Sequence, residues 1–153
     1  MKSICIIPAF NEDKKILQKL INDTDEYVDK IVVINDGSKE KLRLINCMLV
    51  HNNINFGKGY SIKKGISYAR NNKFDIVIFL DADYEHDPKC IPQFLKYFNK
   101  NNGLVIGKRK SYKTIKSNIL NKWGNLWVKQ IIKKNIDFSS GYRAIDMNSL
   151  KKL

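Results

Sequence analysis

The stretch "DIVIFLDADYEHDP", residues 75 to 88, runs five consecutive apolar residues, Ile76 to Leu80, straight into Asp81 and Asp83, with Glu85 and Asp87 following at the same spacing. Apolar residues without alternation predict a strand covered on both faces, as in a parallel sheet layered with helices. The runs "SICII" (3–7), "KIVVIN" (30–35), "CMLVH" (47–51) and "GLVIG" (103–107) read the same way. Between them Ile16, Leu17, Leu20 and Ile21 share one helical face, as do Ile62, Ile66 and Ala69, and Ile91, Phe94, Leu95 and Phe98. Strand and helix in alternation imply right-handed crossovers and an open, mostly parallel, Rossmann-like α/β sheet flanked by helices.

Composition sets the limits around that fold. With 153 residues, 43% of them hydrophobic, the chain suits one domain with one core. Its apolar runs fall short of the ~20 residues that cross a bilayer, and Ile4 to Ile7 is too short for a signal-peptide core. Cys5, Cys47 and Cys90 are odd in number and widely spaced, which argues against a disulfide framework or a zinc site and for a reduced, cytoplasmic protein. The net charge of +13 is unevenly placed. No acidic residue lies between Pro88 and Ile136, where twelve Lys and Arg fall, leaving 16 basic against 15 acidic groups elsewhere. A single surface facing a polyanion is implied.

In open α/β sheets ligands bind beyond the carboxyl ends of the strands, where strand order reverses. The polar clusters "PAFNE" (8–12), "NDGSKE" (35–40), "NNINFGKG" (52–59) and "DADYEHD" (81–87) follow the first four predicted strands and are expected to line one crevice. Asp81 and Asp83, where a buried strand breaks into a loop, can hold one divalent cation, Mg²⁺ or Mn²⁺, between protein and a diphosphate. An Asp-x-Asp pair also arises by chance, and Asp23 with Asp25 makes another in what reads as a solvated loop. Context separates them, because an unpaired carboxylate at the end of the most apolar strand is costly.

The blocks "IIPAFNE", "VINDGS", "NFGKGYSIKKGI", "FLDADYEHDP", "IGKR" and "SSGYRAI", in that order, span nearly the whole chain. Together they resemble the inverting glycosyltransferases of family 2, which have the glycosyltransferase A type of nucleotide-diphospho-sugar fold. The similarity is greatest to the dolichol-phosphate mannosyltransferase and polyprenyl-phosphate glycosyltransferase branch. By this resemblance Pro8, Ala9, Asn11 and Glu12 edge the nucleotide pocket, although alone they describe only a turn and a helix start. Asp36 accepts from the nucleobase N–H edge, or else merely shapes the turn at "NDGS". Gly57, Lys58 and Gly59 bring backbone and charge to the sugar nucleotide, or else simply enter a helix. Asp81, Ala82 and Asp83 bind nucleotide and metal, with Glu85 as a further ligand where the family often has glutamine. His86 and His51 read as packing residues, and Asn35 stands where an aspartate is more common.

The implied reaction moves a sugar from a GDP- or UDP-sugar to a polyprenyl phosphate with inversion. The metal, Lys58, Arg109 and Arg143 would stabilise the departing diphosphate, the two arginines also receiving the acceptor phosphate. A phosphate acceptor is already anionic and needs little base, and Asp137 is the candidate base for a hydroxyl acceptor. The chain thus divides into a nucleotide-sugar-binding part, 1–107, and a basic acceptor- and membrane-facing part, 108–153. Within 108–134, nine basic residues accompany Ile119, Trp123, Leu126, Trp127 and Ile131 at helical spacing. That pattern suits the inner face of an anionic membrane, or a helix packed on the sheet with solvated lysines.

Relatives usually continue beyond "SGYRA", and many carry carboxy-terminal membrane helices that are absent here, so a truncated or degenerate non-catalytic homologue is one alternative. A nucleotidyltransferase is another, but it predicts a glycine-rich loop after the first strand, and "PAFNEDKK" has none. A nucleic-acid-binding module accounts for the charge but not for the acidic crevice, so nucleic acid is not the expected partner. Nothing in the sequence indicates an oligomeric state.

Overall fold

A computed structural model of the chain describes residues 1–98, 103–107 and 140–150. They form six strands, β1 (Ser3–Ala9), β2 (Lys30–Asp36), β3 (Met48–Asn52), β4 (Ile76–Phe79), β5 (Leu104–Ile106) and β6 (Arg143–Asp146). The helices are α1 (Lys14–Asp25), α2 (Lys58–Asn71), α3 (Ile91–Phe98), which follows a 3₁₀ turn at Pro88–Cys90, and the short α4 (Met147–Leu150). The sheet order is β3-β2-β1-β4-β6-β5. The first four strands pair in parallel, while β6 runs antiparallel to both β4 and β5.

The unbroken apolar runs serve two cores. Side chains of a strand alternate in direction, so Cys5, Ile7, Ile31, Val33, Ile76 and Ile78 pack with Leu17, Leu20, Ile21 and Ile91 on one face. Ile4, Ile6, Val32, Ile34, Val77 and Phe79 pack with Ala69 and Met147 on the other. Each face is buried, as the continuous pattern requires. Burial of Cys5 pushes its thiol well above the ordinary range, and all three cysteines are free.

Helix α1 begins where the Asp13 carboxylate accepts from the backbone N–H groups of Lys15 (2.8 Å) and Ile16 (3.0 Å). Its buried stripe is Leu17, Leu20, Ile21 and Thr24. Ile16, expected on that stripe, instead lies outside it and is 44% exposed. One step of 3.6-residue periodicity before Leu17 turns it to solvent. Helix α2 sits close on β1 because Gly65 has no side chain, and a Cβ there would lie 2.5 Å from Ile6 Cγ2. Gly65→Val should therefore lower stability by about 2–3 kcal/mol through overpacking, read as a reduced urea midpoint.

One strand was not legible in sequence. Residues 143–146 read only as part of a motif, yet they form β6, inserted between β4 and β5. Four residues beginning with an arginine give too short an apolar pattern to be recognised before a neighbour pairs with them. The consequence is a mixed sheet whose antiparallel strand brings residues 140–143 beside the end of β4.

Candidate functional site

Strand order reverses between β1 and β4, since β1 is followed by β2 on one side and flanked by β4 on the other. The crevice opens there. A polar cavity of about 380 Å³ is lined by Pro8 and Ala9 at the end of β1, Phe10 and Glu12 just after it, Asp36 at the end of β2, Asn55, Lys58 and Ser61 around the start of α2, and Asp81, Ala82 and Asp83 after β4. All four polar clusters of the sequence thus meet in one place. A second cavity of about 460 Å³ lies alongside, and its walls include Ile62, Ile66, Leu104, Ile145 and Leu150, with Ser140, Gly141 and Arg143 from the start of β6. Pro8, Lys58 and Asp81 line both.

The loops are held by specific hydrogen bonds. Asn11 has a left-handed backbone (φ 54°). Its N–H donates to Ser38 Oγ (2.9 Å), and its Oδ1 accepts from the Lys39 N–H (3.0 Å), so it ties the β1 loop to the β2 loop and does not line the polar cavity. Asn35 Oδ1 accepts from the Ser38 N–H at 3.1 Å, and its amide nitrogen pairs with His51 Nδ1 at 3.1 Å. An aspartate at position 35 would lose that donor.

Asp36 is 3% exposed. Its carboxylate accepts from Asn52 Nδ2 (2.7 Å) and from the N–H groups of Phe56 (3.1 Å) and Gly57 (2.7 Å). Burial pushes its pKa up, but these bonds outweigh burial and hold it below the usual carboxylate range. Gly57, at φ 90°, occupies a region that side chains rarely adopt. It opens α2 without a side-chain cap, so the positive end of that helix faces the crevice. Gly59 lines the apolar cavity and not the polar one.

Lys58 Nζ donates to Asp81 Oδ1 in an ion pair. Asp83 Oδ1 accepts from the Glu85 N–H at 3.0 Å. Tyr84 between them is left-handed (φ 59°), which breaks the strand alternation and keeps Glu85 away from both cavities. Among the described residues no three His, Cys, Asp or Glu converge as a metal cage. Of the acidic cluster 81–87, Asp81 and Asp83 line the polar cavity, and Glu12 and Asp36 line it from the other loops. Two carboxylates suit Mg²⁺ or Mn²⁺, which take one or two protein oxygens and complete their shell from a diphosphate and water.

Asp23 and Asp25, read from sequence as a loop pair, instead end α1. Residues two apart on a helix point about 200° apart, so they cannot share a cation. Asp23 accepts from Lys19 Nζ (2.6 Å) and from the Tyr84 hydroxyl, which fastens the acidic loop to α1. His86 is buried and its ring packs on Tyr142 with centroids 5.1 Å apart.

The turn 140–142 is the part of the site that motif reading left without a physical role. A Cβ on Gly141 would lie 2.0 Å from Asp81 Oδ2 and 2.4 Å from Oδ1, so the bare backbone of the turn closes against the carboxylate. Arg143 lines the apolar cavity, and its Nε donates to the Ser140 carbonyl at 2.8 Å. Arg109, Asp137 and the basic stretch 108–134 lie outside the described residues.

The sequence matches the Glycosyl transferase family 2 domain over residues 4–151. The chain belongs to that family. It is 38% identical over 123 residues to the uncharacterized protein MJ0544 of Methanocaldococcus jannaschii, covering 73% of this chain and 53% of that one. It is 30% identical over 154 residues to the dolichyl-phosphate beta-glucosyltransferase ALG5A of Trichomonas vaginalis, covering 83% and 46%. The chain therefore spans about half the length of these two relatives. In fold it is similar to glucosyl-3-phosphoglycerate synthase from Mycobacterium tuberculosis, solved with Mn²⁺, UDP-glucose and glycerol 3-phosphate. The TM-score is 0.75 at 19% identity, over 95% of this chain and 56% of that one. Among the described residues no helix is long and apolar enough to cross a membrane.

Proposed function

We propose that the polar cavity takes a nucleoside-diphosphate sugar, a UDP-sugar first and a GDP-sugar as the competitor, and that the sugar passes with inversion to a polyprenyl phosphate. The observation that carries this reading is the convergence of Asp36, Lys58, Asp81 and Asp83 from the ends of three strands on one 380 Å³ cavity. Asp81 and Asp83 would hold a Mg²⁺ or Mn²⁺ ion that neutralises the diphosphate as it leaves. Lys58 and the uncapped start of α2 add positive charge on the same side. Asp36 lines the same cavity and would accept a nucleobase N–H there.

The acceptor side of the proposal rests on the neighbouring cavity. Its apolar walls suit a lipid chain and Arg143 a phosphate. Its only carboxylate among the described residues is Asp81, which fits an acceptor that is anionic at neutral pH and needs no base. Arg109 would join Arg143 on that phosphate, with Asp137 as the base in the alternative of a hydroxyl acceptor. The basic segment 108–134 would lie against the anionic inner face of a membrane, where each lysine near the surface adds about 1 kcal/mol.

Calorimetric titration of UDP and GDP into the chain, with and without Mn²⁺, tests the donor half. Binding of UDP that strengthens at least about tenfold with Mn²⁺ is expected. A folded chain that binds neither nucleotide with the metal present would refute the proposal.

A further inference from the structure

The Lys58 ammonium rests on Asp81, at the boundary shared by the two cavities. The two partners differ in freedom. Asp81 follows the buried β4 by two residues, its side chain is 19% exposed, and the Gly141 backbone closes against both carboxylate oxygens. The Lys58 side chain is 54% exposed on a flexible four-carbon stem at the first turn of α2. Any exchange at this carboxylate must therefore move the lysine.

An ammonium and a divalent cation compete for the same carboxylate lone pairs. A diphosphate entering the polar cavity offers the lysine another anion on the same side of the crevice. We propose that Lys58 is a stand-in cation, holding Asp81 in the ligand-free protein and yielding it to the metal when a nucleotide diphosphate draws the lysine away. Metal and nucleotide then bind with positive coupling, which by linkage is the same whichever binds first. This rests on the donor reading above and adds the order in which the charges change partners.

Mn²⁺ binding to the full chain, followed by the electron paramagnetic resonance of the free ion, tests the inference without any turnover. In the wild type, Mn²⁺ alone should bind weakly and UDP should strengthen it. Lys58→Met, which keeps the stem and removes the charge, should bind Mn²⁺ alone about tenfold more tightly than wild type, with a smaller gain from UDP. Lys63→Met removes an exposed charge from the same helix and should leave Mn²⁺ affinity unchanged. The inference is overturned if Lys58→Met binds Mn²⁺ alone no better than wild type, or if Lys63→Met tightens it equally. A wild-type chain that takes up no UDP with Mn²⁺ overturns the donor reading instead, and the coupling with it.

Discussion

Gly141→Ala is expected to weaken Mn²⁺-dependent UDP binding about 100-fold, equivalent to losing one or two well-placed hydrogen bonds to charged groups, while the chain stays folded. Gly141 does not have a left-handed backbone, so alanine is conformationally acceptable there. The whole effect is steric. The added methyl would lie 2.0 Å from Asp81 Oδ2 and 2.3 Å from its carboxyl carbon, and the end of a short side chain yields more readily than the backbone of a strand. Asp81 swings aside, its pairing with Lys58 breaks, and the metal ligand leaves the polar cavity. Calorimetry and urea denaturation together decide the matter. A lowered urea midpoint with unchanged nucleotide affinity would mean that the 140–142 turn moved and Asp81 did not.

Asp36→Ala is expected to cost about 2–4 kcal/mol of stability, because a nearly buried carboxylate that accepts from Asn52, Phe56 and Gly57 is lost and its donors are left facing a void. The damage should centre on the loop into α2, whose path depends on Gly57 at φ 90°. Acid provides a second readout. Burial raises the Asp36 pKa and its hydrogen bonds more than reverse it, so the folded value lies below the unfolded one. The folded state then binds fewer protons. The stabilisation is complete above the ordinary aspartate pKa of about 3.9 and is lost as pH falls through the lower folded value. Urea midpoints measured from neutral to acid should fall for wild type and fall less for Asp36→Ala. A variant that loses stability as steeply in acid as wild type would show that Asp36 is not the group responsible. Some acid sensitivity should remain, since hydrogen bonds from Ser3 hold Asp29 low, and Asp146 stays low despite burial through bonds from Ser149, Gly103 and Asn148.

The mutual positions of the functional groups explain why some residues were legible and others not. The four clusters after the first four strands could be placed at one crevice because a parallel sheet puts all its carboxyl ends on one edge. The roles of individual members were less accessible. Asn11 stands among pocket residues in the chain but spends its hydrogen bonds on the neighbouring loop. Glu85 continues the acidic spacing, yet the left-handed Tyr84 turns it away from the cavities. Phe10 and Asn55 line the polar cavity without any signal beyond their neighbours in sequence.

The amino-acid sequence by itself determined the α/β class, the strands β1 to β5, the two-faced burial and the polar strand ends, because each follows from local periodicity within a few residues. Tertiary structure alone decided that Arg143–Asp146 enters the sheet as an antiparallel strand, that Gly141 presses on Asp81, and that Asp23 joins Tyr84 across 61 residues of chain. These are contacts between segments distant in sequence, and the pattern within either segment carries no information about the surface it will meet.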